Sequence, residues 1–517
     1  MPFSFAQATP ESVGIPSDAI LRYADALEDL ALSLHSLTVI RRGAVVFDGQ
    51  YSPMTSGQPH RLYSCSKSFV SLAVGILCGE GRLRLSDRVA DFFPEYDKAK
   101  MHPFLRETTV EDLLRMTDCH DETTYNMDKA EPDMDWVRTY FETPPTHRAG
   151  TVFQYNTACT VMLSVIVERI TGASFLETLR PRVFEPMGMT KDIQCVRTPC
   201  GHAWGGSGVL ASAQDLAKMA YLCMRGGEID GRQLLPREYV RRATSRQVDN
   251  ALFSDDAEHR AGYGYQIWRI RHNGFAFLGM GSQQAFCFPD EDLLVVLTGD
   301  TQDVPAAAQN ELTLLFSTIF PALSKDPLPE DPEALRRLAA RRESLTLYAE
   351  TGGGYSPYGQ RMSGRTFRFP ENALGWKWAR FDFDGDEGSL SYENATGPHR
   401  VAFAYGRNVG QAFDETSYYA MDIGHPAYRP LHAFASAGWK DPHTLLLRLC
   451  IADVCFGTLR LCFVFDGQEL TVAGRKNAEW FFREYQGFAT GRADPAAGQA
   501  DPATGRADPA TGQADPA

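Results

Sequence analysis

Apolar residues recur at helical spacing between residues 69 and 77 and predict the best-defined helix in the N-terminal half of the chain. The pattern stops at Gly79 and Gly81, which are typical of a helix end. Because the run is long and apolar, we expect the helix to be buried. Residues 61–69 therefore lie at the start of a buried helix.

The rest of the first 320 residues mixes helical and strand patterns. Two β-rich runs around a turn at Gly43 predict a hairpin over residues 37–47. Thr109 has the chemistry and position of an N-cap for a helix over 110–116. Further helical patterns cover residues 20–34, 161–170 (ended by Gly172), a segment that contains Asp215, and 306–320. Strand-like runs lie at residues 263–270, 275–278 and 293–298.

The pattern changes after residue 346 to short aromatic and aliphatic runs separated by Gly, Asp and Asn turns. This alternation predicts an all-β domain, a small sandwich or barrel. Its clearest strands are expected at residues 376–383, 401–405, 444–451, 458–465 and 469–472.

Two changes in composition mark domain boundaries. Residues 324–332 are proline-rich, and a short basic helix is expected over 333–343, so we divide the chain into domain 1–325, linker 326–345 and domain 346–488. Residues 489–517 repeat with a period of seven, beginning with Ala489 to Pro495. Because this tail lacks large apolar side chains, we expect all of it to be disordered.

Composition excludes several classes of function. The 517 residues are 44% hydrophobic and 22% charged, which is ordinary for a soluble globular protein. A formal net charge of −14 argues against a nucleic-acid partner. No apolar run is long enough to span a bilayer, and the first residues lack a signal-peptide pattern, so no membrane partner and a cytoplasmic location are expected. The eleven cysteines are scattered through apolar segments and are expected to be buried thiols.

Ser64 and Lys67 form a Ser-x-x-Lys pattern at the start of the predicted helix. Residues three apart share one helix face, so the Lys67 amine is expected to reach the Ser64 hydroxyl group. A neutral lysine there accepts the serine proton, and a first-turn backbone N–H is free to bind an oxyanion. The pattern alone is weak, since serine and lysine fall three apart by chance in most long chains.

Tyr155 is the second candidate, because it lies in a loop just before another apolar helix. A tyrosine beside a lysine shares a proton with it and relays that proton between nucleophile and leaving group. A tyrosine that only packs at a helix start is the alternative. Its combination with Ser64 and Lys67 favours the catalytic interpretation.

Four segments in order make the chain resemble the serine β-lactamase-like superfamily, over roughly residues 8–320. The matching branch contains class C β-lactamases, D-alanyl-D-alanine carboxypeptidases, related esterases and 6-aminohexanoate-dimer hydrolases. The segments are Leu62-Tyr63-Ser64-Cys65-Ser66-Lys67-Ser68-Phe69, Phe153-Gln154-Tyr155-Asn156-Thr157, Gly205-Gly206-Ser207-Gly208-Val209-Leu210 with Asp215, and Gly279-Met280-Gly281-Ser282-Gln283.

The resemblance implies a β-lactamase/transpeptidase-like α/β (α+β) fold, an antiparallel sheet flanked by helices with a helical subdomain. It implies that Ser64 is the acylated nucleophile, Lys67 its general base and Tyr155 the second-motif tyrosine. The N–H groups of Ser64 and Ser282 are expected to form the oxyanion hole. No metal and no cofactor are implied.

Two departures from the family pattern bear on the substrate. Thr157 stands where Tyr-x-Asn has its asparagine, and Gly279-Met280-Gly281 lacks the cation of Lys-Thr-Gly or His-x-Gly. A substrate carboxylate therefore loses a charge-assisted contact, commonly worth ~1.5–3 kcal/mol. This favours a small-molecule ester or amide substrate. Residues expected to contact it are Thr157, Gly279, Gly281, Gln283 and His120, the last from its place after the 110–116 helix.

Two other functions remain open at this point. One is a catalytically weak β-lactamase-like protein used for binding or assembly, since fold does not guarantee activity. The other is a β-lactamase or D-Ala-D-Ala carboxypeptidase, which Gly279 and the lack of an export signal disfavour. An acidic run over residues 382–388 resembles a calcium loop but has Glu387 where glycine is needed, so we expect a hairpin turn. The sequence does not indicate the oligomeric state.

Overall fold

The strongest apolar runs of the first 320 residues form the centre of a seven-stranded sheet. The computed structural model describes residues 2–125, 134–414, 431–453, 456–477 and 485–495. The strand order is Ala6–Gln7, Ala44–Gln50, Leu34–Arg41, Leu293–Gly299, Gln283–Phe288, Phe275–Gly279 and Trp268–Arg269. All neighbours are antiparallel except the first pair. The predicted hairpin over residues 37–47 is confirmed.

The α-helices pack against this sheet or against other helices, except Pro357–Met362, which packs on the later strand Trp378–Asp384. In the described part of the chain they are Ser17–Asp29, Ser66–Gly79, Pro103–Glu107, Val110–Leu114, Trp136–Glu142, Thr157–Thr171, Phe175–Leu179, Ala213–Met224, Arg237–Ala243, Ala307–Thr318, Pro332–Ser344 and Pro357–Met362. Ala213–Met224 lies on the sheet, and Ser66–Gly79 packs on Thr157–Thr171 and Phe175–Leu179 in the helical part of the domain. The α/β fold class is therefore confirmed, with the antiparallel sheet and flanking helices that the resemblance implied.

Local signals explain several helix boundaries. Thr109 caps the helix Val110–Leu114, as the sequence predicts, and Asp112 completes a capping box with it. Gly172 ends Thr157–Thr171 in the left-handed conformation with φ of 73°. These positions satisfy backbone groups that have no partner inside the helix.

The strand predicted over residues 263–270 is wrong for most of its length, because only Trp268–Arg269 joins the sheet. The chain turns back on itself there, with the Gly264 N–H donating to the Ile267 carbonyl at 2.8 Å. Gln266 within this turn has a positive φ of 58°. A left-handed residue breaks the extended conformation that period-two patterning assumes.

The predicted linker 326–345 contains the helix Pro332–Ser344, which packs on Ser17–Asp29. Arg341 pairs with Asp25 at 2.8 Å and Arg337 with Asp18 at 2.9 Å. The basic character of this helix thus complements the acidic face of the first helix.

The C-terminal part is a ten-stranded sheet that closes into a barrel, which confirms the predicted all-β domain. The strand order is Gly397–Tyr405, Glu387–Asn394, Trp378–Asp384, Thr366–Arg368, Gly487–Ala493, Glu469–Asn477, Phe456–Asp466, Thr444–Ala452, Leu431–Trp439 and Val409–Phe413. Gly397–Tyr405 also pairs in parallel with Leu431–Trp439, which closes the sheet. The acidic run forms the predicted hairpin turn between Trp378–Asp384 and Glu387–Asn394.

The first copy of the seven-residue repeat is a barrel strand, so the prediction of disorder from residue 489 is wrong for residues 489–493. Ala489 and Ala493 are buried while Thr490 and Arg492 are exposed, and the strand pairs with Glu469–Asn477. Small side chains suffice there because Phe369 packs closely over Gly491. Residues 496–517 lie outside the described part.

Within the described residues, no single helix is long and apolar enough to cross a membrane. One bent pair, Thr157–Thr171 with Phe175–Phe184, meets the criterion by length and composition alone.

Candidate active site

Ser64 is presented by a tight turn at the head of the buried helix. Residues Tyr63–Cys65 form a 3-10 turn that runs directly into Ser66–Gly79. Tyr63 has a φ of 45°, a left-handed conformation that an aromatic residue rarely adopts. Strain of this kind persists where surrounding structure imposes it, often at functional sites. The turn leaves Ser64 half-buried in the wall of a cleft.

Lys67 lies beside Ser64, as the three-residue spacing predicts. Its Nζ is 3.0 Å from Ser64 Oγ and 2.6 Å from the carbonyl oxygen of Gly206. The side chain is only 1% exposed, and Nζ lies 5.0 Å from the centre of the Tyr155 ring. The amine is thus held on the nucleophile by a buried backbone carbonyl and an aromatic face.

The Gly205–Gly208 segment approaches the lysine because its glycines have no side chains. A Cβ on Gly206 would lie 2.5 Å from Thr157 Cγ2. Arg61 fixes the same segment, with Nε donating to the Ser207 carbonyl and Nη2 to the Ser207 hydroxyl, both at 3.0 Å. Arg61 is fully buried and was not identified from the sequence. Its adjacency to the Ser64 segment was the available signal.

Tyr155 reaches Ser64 from the start of another helix. Asn156 caps Thr157–Thr171, which sets the direction of the preceding residue. The Tyr155 hydroxyl group interacts with Ser64, which opposes the effect of burial, but burial still raises the tyrosine pKa well above its ordinary value. The ring stacks on Trp268 with centroids 5.4 Å apart. Ser64, Lys67 and Tyr155 therefore converge on one point, as the sequence predicts.

A hairpin turn forms the neighbouring wall of the cleft. Gly279 pairs with Gln283, and the turn between them contains Gly281 and Ser282 at φ of 72° and 68°. A Cβ on Gly279 would lie 2.3 Å from the Leu62 carbonyl oxygen, so the hairpin touches the nucleophile segment backbone to backbone. The Cys65 thiol also donates to the Gln283 carbonyl at 3.0 Å. Gly279, Gly281 and Ser282 all line the cleft.

Ser282 is anchored from behind by its hydroxyl group. Its Oγ lies 2.6 Å from both Thr301 Oγ1 and the Glu311 carboxylate. Burial raises the pKa of Glu311 from 4.5 to about 8, although hydrogen bonds from Ser282 and Gln284 oppose that shift. The network gives the backbone of Ser282 a defined position in the cleft wall.

The cleft has a volume of about 430 Å³ and is mostly apolar. Apolar side chains in its wall are Phe253, Trp268, Leu278, Met280 and Val304. Asp256 and His259 also line the cleft, and His259 Nδ1 lies 2.8 Å from the Asp256 carboxylate. Sequence patterns did not identify Phe253, Asp256 or His259, because the 251–260 loop has no periodicity and no recognisable motif.

The side chains of Gln283, Thr157 and His120, predicted to bind substrate, do not line the cleft. Gln283 is fully buried and its Nε2 donates to the carbonyls of Met280, Gly281 and Gly299, so it braces the hairpin. Gln284, the next residue, lines the cleft instead. The backbone N–H of Thr157 donates to Thr123 Oγ1 at 3.2 Å, and its methyl group faces Gly206.

His120 is buried behind the Tyr155 loop rather than in the cleft. Its Nδ1 lies 3.0 Å from Asp118, and its Nε2 lies 3.1 Å from the Thr143 carbonyl. Burial opposes its protonation, but hydrogen bonds to Asp118 and Cys119 outweigh that and raise its pKa to about 10. Asp118 also accepts from Asn156 Nδ2 at 3.0 Å. His120 thus supports the loop that carries Tyr155.

Metal chemistry has no candidate site in the residues that the structure describes, since they contain no group of three His, Cys, Asp or Glu side chains able to hold an ion. The arrangement instead supplies a nucleophile, a base, a second proton carrier and a cleft.

Comparison with known proteins agrees with the fold. The family model described as Beta-lactamase matches residues 29–317, more than half of the chain. A 6-aminohexanoate-dimer hydrolase from Paenarthrobacter ureafaciens is 25% identical over 320 residues, covering 56% of this chain and 79% of the relative.

A solved structure shows the same fold. A Bacillus anthracis protein, provisionally assigned as a 6-aminohexanoate-dimer hydrolase, superposes with a TM-score of 0.51 at 19% identity, covering 64% of this chain and 89% of its own. An octameric penicillin-binding protein homologue from Pyrococcus abyssi has a TM-score of 0.47 at 16% identity, covering 92% of this chain and 99% of its own.

Proposed function

This chain belongs to the beta-lactamase family, and from that premise we propose that it is a serine hydrolase that cleaves a small-molecule ester or amide through an acyl-enzyme on Ser64. The observation that carries the proposal is the contact of Ser64 with two proton carriers. Lys67 Nζ lies 3.0 Å from Ser64 Oγ, and the Tyr155 hydroxyl group interacts with the same serine. The Lys67–Ser64 distance lies within the hydrogen-bond reach that general acid–base catalysis requires.

Acylation begins when neutral Lys67 accepts the Ser64 proton and Oγ attacks the substrate carbonyl carbon. The Gly206 carbonyl takes one N–H of the amine, which leaves the nitrogen lone pair for the serine proton. The carbonyl oxygen becomes an oxyanion, and the backbone N–H groups of Ser64 and Ser282 are the proposed donors to it. Collapse of this tetrahedral intermediate breaks the bond to the leaving group and forms the Ser64 ester.

Tyr155 is the proposed donor of a proton to the leaving group. Because burial raises its pKa, the hydroxyl group is protonated at neutral pH and acts as an acid rather than as a phenolate base. The proton it gives up is replaced from Lys67, whose amine lies over the tyrosine ring. Water then attacks the acyl-enzyme, with the same groups moving protons in reverse, and releases the acid.

The lining of the cleft favours an uncharged substrate over one with a carboxylate. Gly279 holds the place of the family cation, and its contact with the Leu62 carbonyl leaves no room for a side chain. Asp256 adds a carboxylate to the same lining. A β-lactam or a D-Ala-D-Ala peptide carries a carboxylate, so these features support an esterase or amidase rather than an antibiotic-degrading enzyme.

The test compares wild type with Ser64→Ala in labelling by a fluorophosphonate and in hydrolysis of p-nitrophenyl butyrate and nitrocefin. Wild type is expected to label and to hydrolyse the ester but not nitrocefin, while Ser64→Ala does neither. Ser12→Ala, at an exposed serine, is the matched control and should label as wild type does. A folded wild type that neither labels nor turns over any ester would favour a binding role instead.

A further inference from the structure

The chain that follows strand Leu293–Gly299 forms part of the cleft wall. Thr301, Gln302 and Val304 line the cleft, and Thr301 Oγ1 lies 2.6 Å from Ser282 Oγ. We name residues 300–304 the wall segment. Its side chains set both the shape of the cleft and the position of Ser282.

Two side chains of the barrel bind the wall segment, one at Asp303 and the other at Asp300. Arg448 Nη1 lies 2.8 Å from Asp303, and the two side chains are 3% and 6% exposed. The Thr458 hydroxyl group donates to Asp300 Oδ2 at 2.9 Å. Arg448 and Thr458 lie on the paired strands Thr444–Ala452 and Phe456–Asp466. The barrel therefore contacts the cleft wall through a buried ion pair and a buried hydrogen bond.

The residues that the barrel binds are in turn connected to residues that line the cleft. Asp300 Oδ2 accepts from Thr458 while its Oδ1 accepts from Gln302 Nε2 at 2.7 Å. Thr301 lies between Asp300 and Asp303 in the chain and contacts Ser282. A displacement of Asp300 or Asp303 must therefore move groups that border the reacting atoms.

We propose that the C-terminal barrel belongs to the catalytic apparatus, with Arg448 and Thr458 as positioning residues that hold the wall segment and, through Thr301, the oxyanion-binding backbone at Ser282. The proposal rests on the serine hydrolase function proposed above. It assigns the barrel a role that sequence patterns left open.

Burial makes these contacts rigid. An ion pair away from water keeps a fixed geometry, because neither partner can move to solvent without leaving the other charge unpaired. Catalytic donors must stay within a fraction of an ångström of the oxyanion, and a shift near 1 Å costs about 100-fold in rate. Contacts at both ends of a five-residue segment meet that requirement.

The first experiment uses the pair Thr458→Val and Thr458→Ser in the full-length chain. Valine keeps the shape of threonine and removes the hydroxyl group that binds Asp300, whereas serine retains it. Thr458→Val is expected to lower kcat for p-nitrophenyl butyrate by about 10-fold, with KM changed less than kcat, because the oxyanion contact forms in the transition state. Thr458→Ser should stay near the wild-type kcat.

A second pair tests the ion pair independently. Arg448→Met is expected to lower kcat about 10-fold to 100-fold, and Arg448→Lys, which keeps the charge, should recover part of that loss. Phe456→Leu is the matched control, because Phe456 packs on His35 and His60 at another contact between barrel and catalytic domain. It should lower the thermal midpoint without lowering kcat at 25 °C.

The outcomes separate the two proposals. If wild type is active and the folded variants Thr458→Val and Arg448→Met keep its kcat, the proposed role of the barrel is overturned. The proposed hydrolase function would then still stand. Wild type without labelling or turnover overturns both. Equal losses of kcat in Thr458→Val and Thr458→Ser, or in Phe456→Leu, would mean that the barrel acts only through general stability.

Discussion

The Glu311 carboxyl group accepts a 2.6 Å hydrogen bond from the Ser282 hydroxyl group, which places a titratable group directly behind the proposed oxyanion-binding residue. Glu311 is fully buried. The groups that face it are Ser282, Gln284 and the phenols of Tyr23 and Tyr51. Because burial raises its pKa to about 8, Glu311 is mostly neutral at pH 7.

Ionisation of Glu311 is expected to lower activity at alkaline pH. A negative charge behind Ser282 opposes the developing oxyanion, so kcat/KM should fall as pH rises through about 8. Glu311→Gln keeps a side chain of the same shape that can still accept a hydrogen bond, but it carries no charge. It should therefore move the alkaline fall of kcat/KM to higher pH. A profile of kcat/KM between about pH 6 and pH 10 measures the shift, and coincident limbs in the two proteins would rule out the role of Glu311.

The same group predicts a pH dependence of stability. The folded pKa is raised from 4.5 to about 8, so the folded state binds more protons than the unfolded state in that window. Stability should therefore fall as pH rises from about 5 to 8. Asp300, whose pKa burial raises from 3.8 to about 6, contributes in the lower part of the window. Between pH 6 and 8, the thermal midpoint of Glu311→Gln should fall less with pH than that of wild type. The same slope of thermal midpoint against pH in both proteins would contradict the assignment of this dependence to Glu311.

Tyr155→Phe is expected to lower kcat by about 100-fold or more, because it removes the proposed proton donor and keeps the ring stacked on Trp268. The thermal midpoint should change little. Tyr263→Phe is the matched control, since Tyr263 packs in the same aromatic group with its ring 6.4 Å from that of Tyr155. Steady-state kinetics on p-nitrophenyl butyrate decide the point. Equal kcat in the two variants would remove Tyr155 from the proton path.

Gly206→Ala should lower kcat about 10-fold to 100-fold. The new Cβ would meet Thr157 Cγ2 at 2.5 Å and push the Gly206 carbonyl away from Lys67 Nζ. Gly354→Ala, where the nearest atom is 3.6 Å away in the barrel, is the control. Rates of fluorophosphonate labelling measure the effect on the nucleophile directly. Labelling at the wild-type rate in Gly206→Ala would show that the carbonyl does not position Lys67.

Substrate charge provides a further prediction. p-Nitrophenyl butyrate should have a kcat/KM about 10-fold or more above that of a p-nitrophenyl ester whose acyl chain, of similar length, ends in a carboxylate. The reason is that no cation replaces the family lysine at Gly279. Asp256→Asn should narrow the difference, whereas Asp255→Asn, at the exposed neighbouring position, should not. Preference for the anionic ester in wild type would contradict the proposed substrate class.

The parts of the site that the sequence predicted depend on local geometry. Ser64 and Lys67 are three residues apart on a helical turn, so their proximity follows from helix periodicity alone. Tyr155 precedes a helix with Asn156 at its cap, and a cap directs the preceding chain. The approach of Tyr155 to the distant Ser64 does not follow from local geometry and was implied by the family resemblance.

The parts that the sequence missed depend on contacts between distant residues. Gln283 and Gln284 differ by one position, and only the pleat of the strand decides which of them faces the cleft. Asp256 and His259 lie on an irregular loop whose path is set by packing on Trp268. The barrel contacts to Asp300 and Asp303 join residues about 150 positions apart, which no periodic pattern encodes.

The most direct test of the central claim is a measurement of the acyl-enzyme itself. Wild type is mixed with p-nitrophenyl butyrate, quenched in acid and examined by intact-mass and peptide mass spectrometry. The proposed mechanism predicts one butyryl group on the peptide that contains Ser64, and none in Ser64→Ala. Ester turnover with no adduct on that peptide, together with full activity in Ser64→Ala, would contradict it.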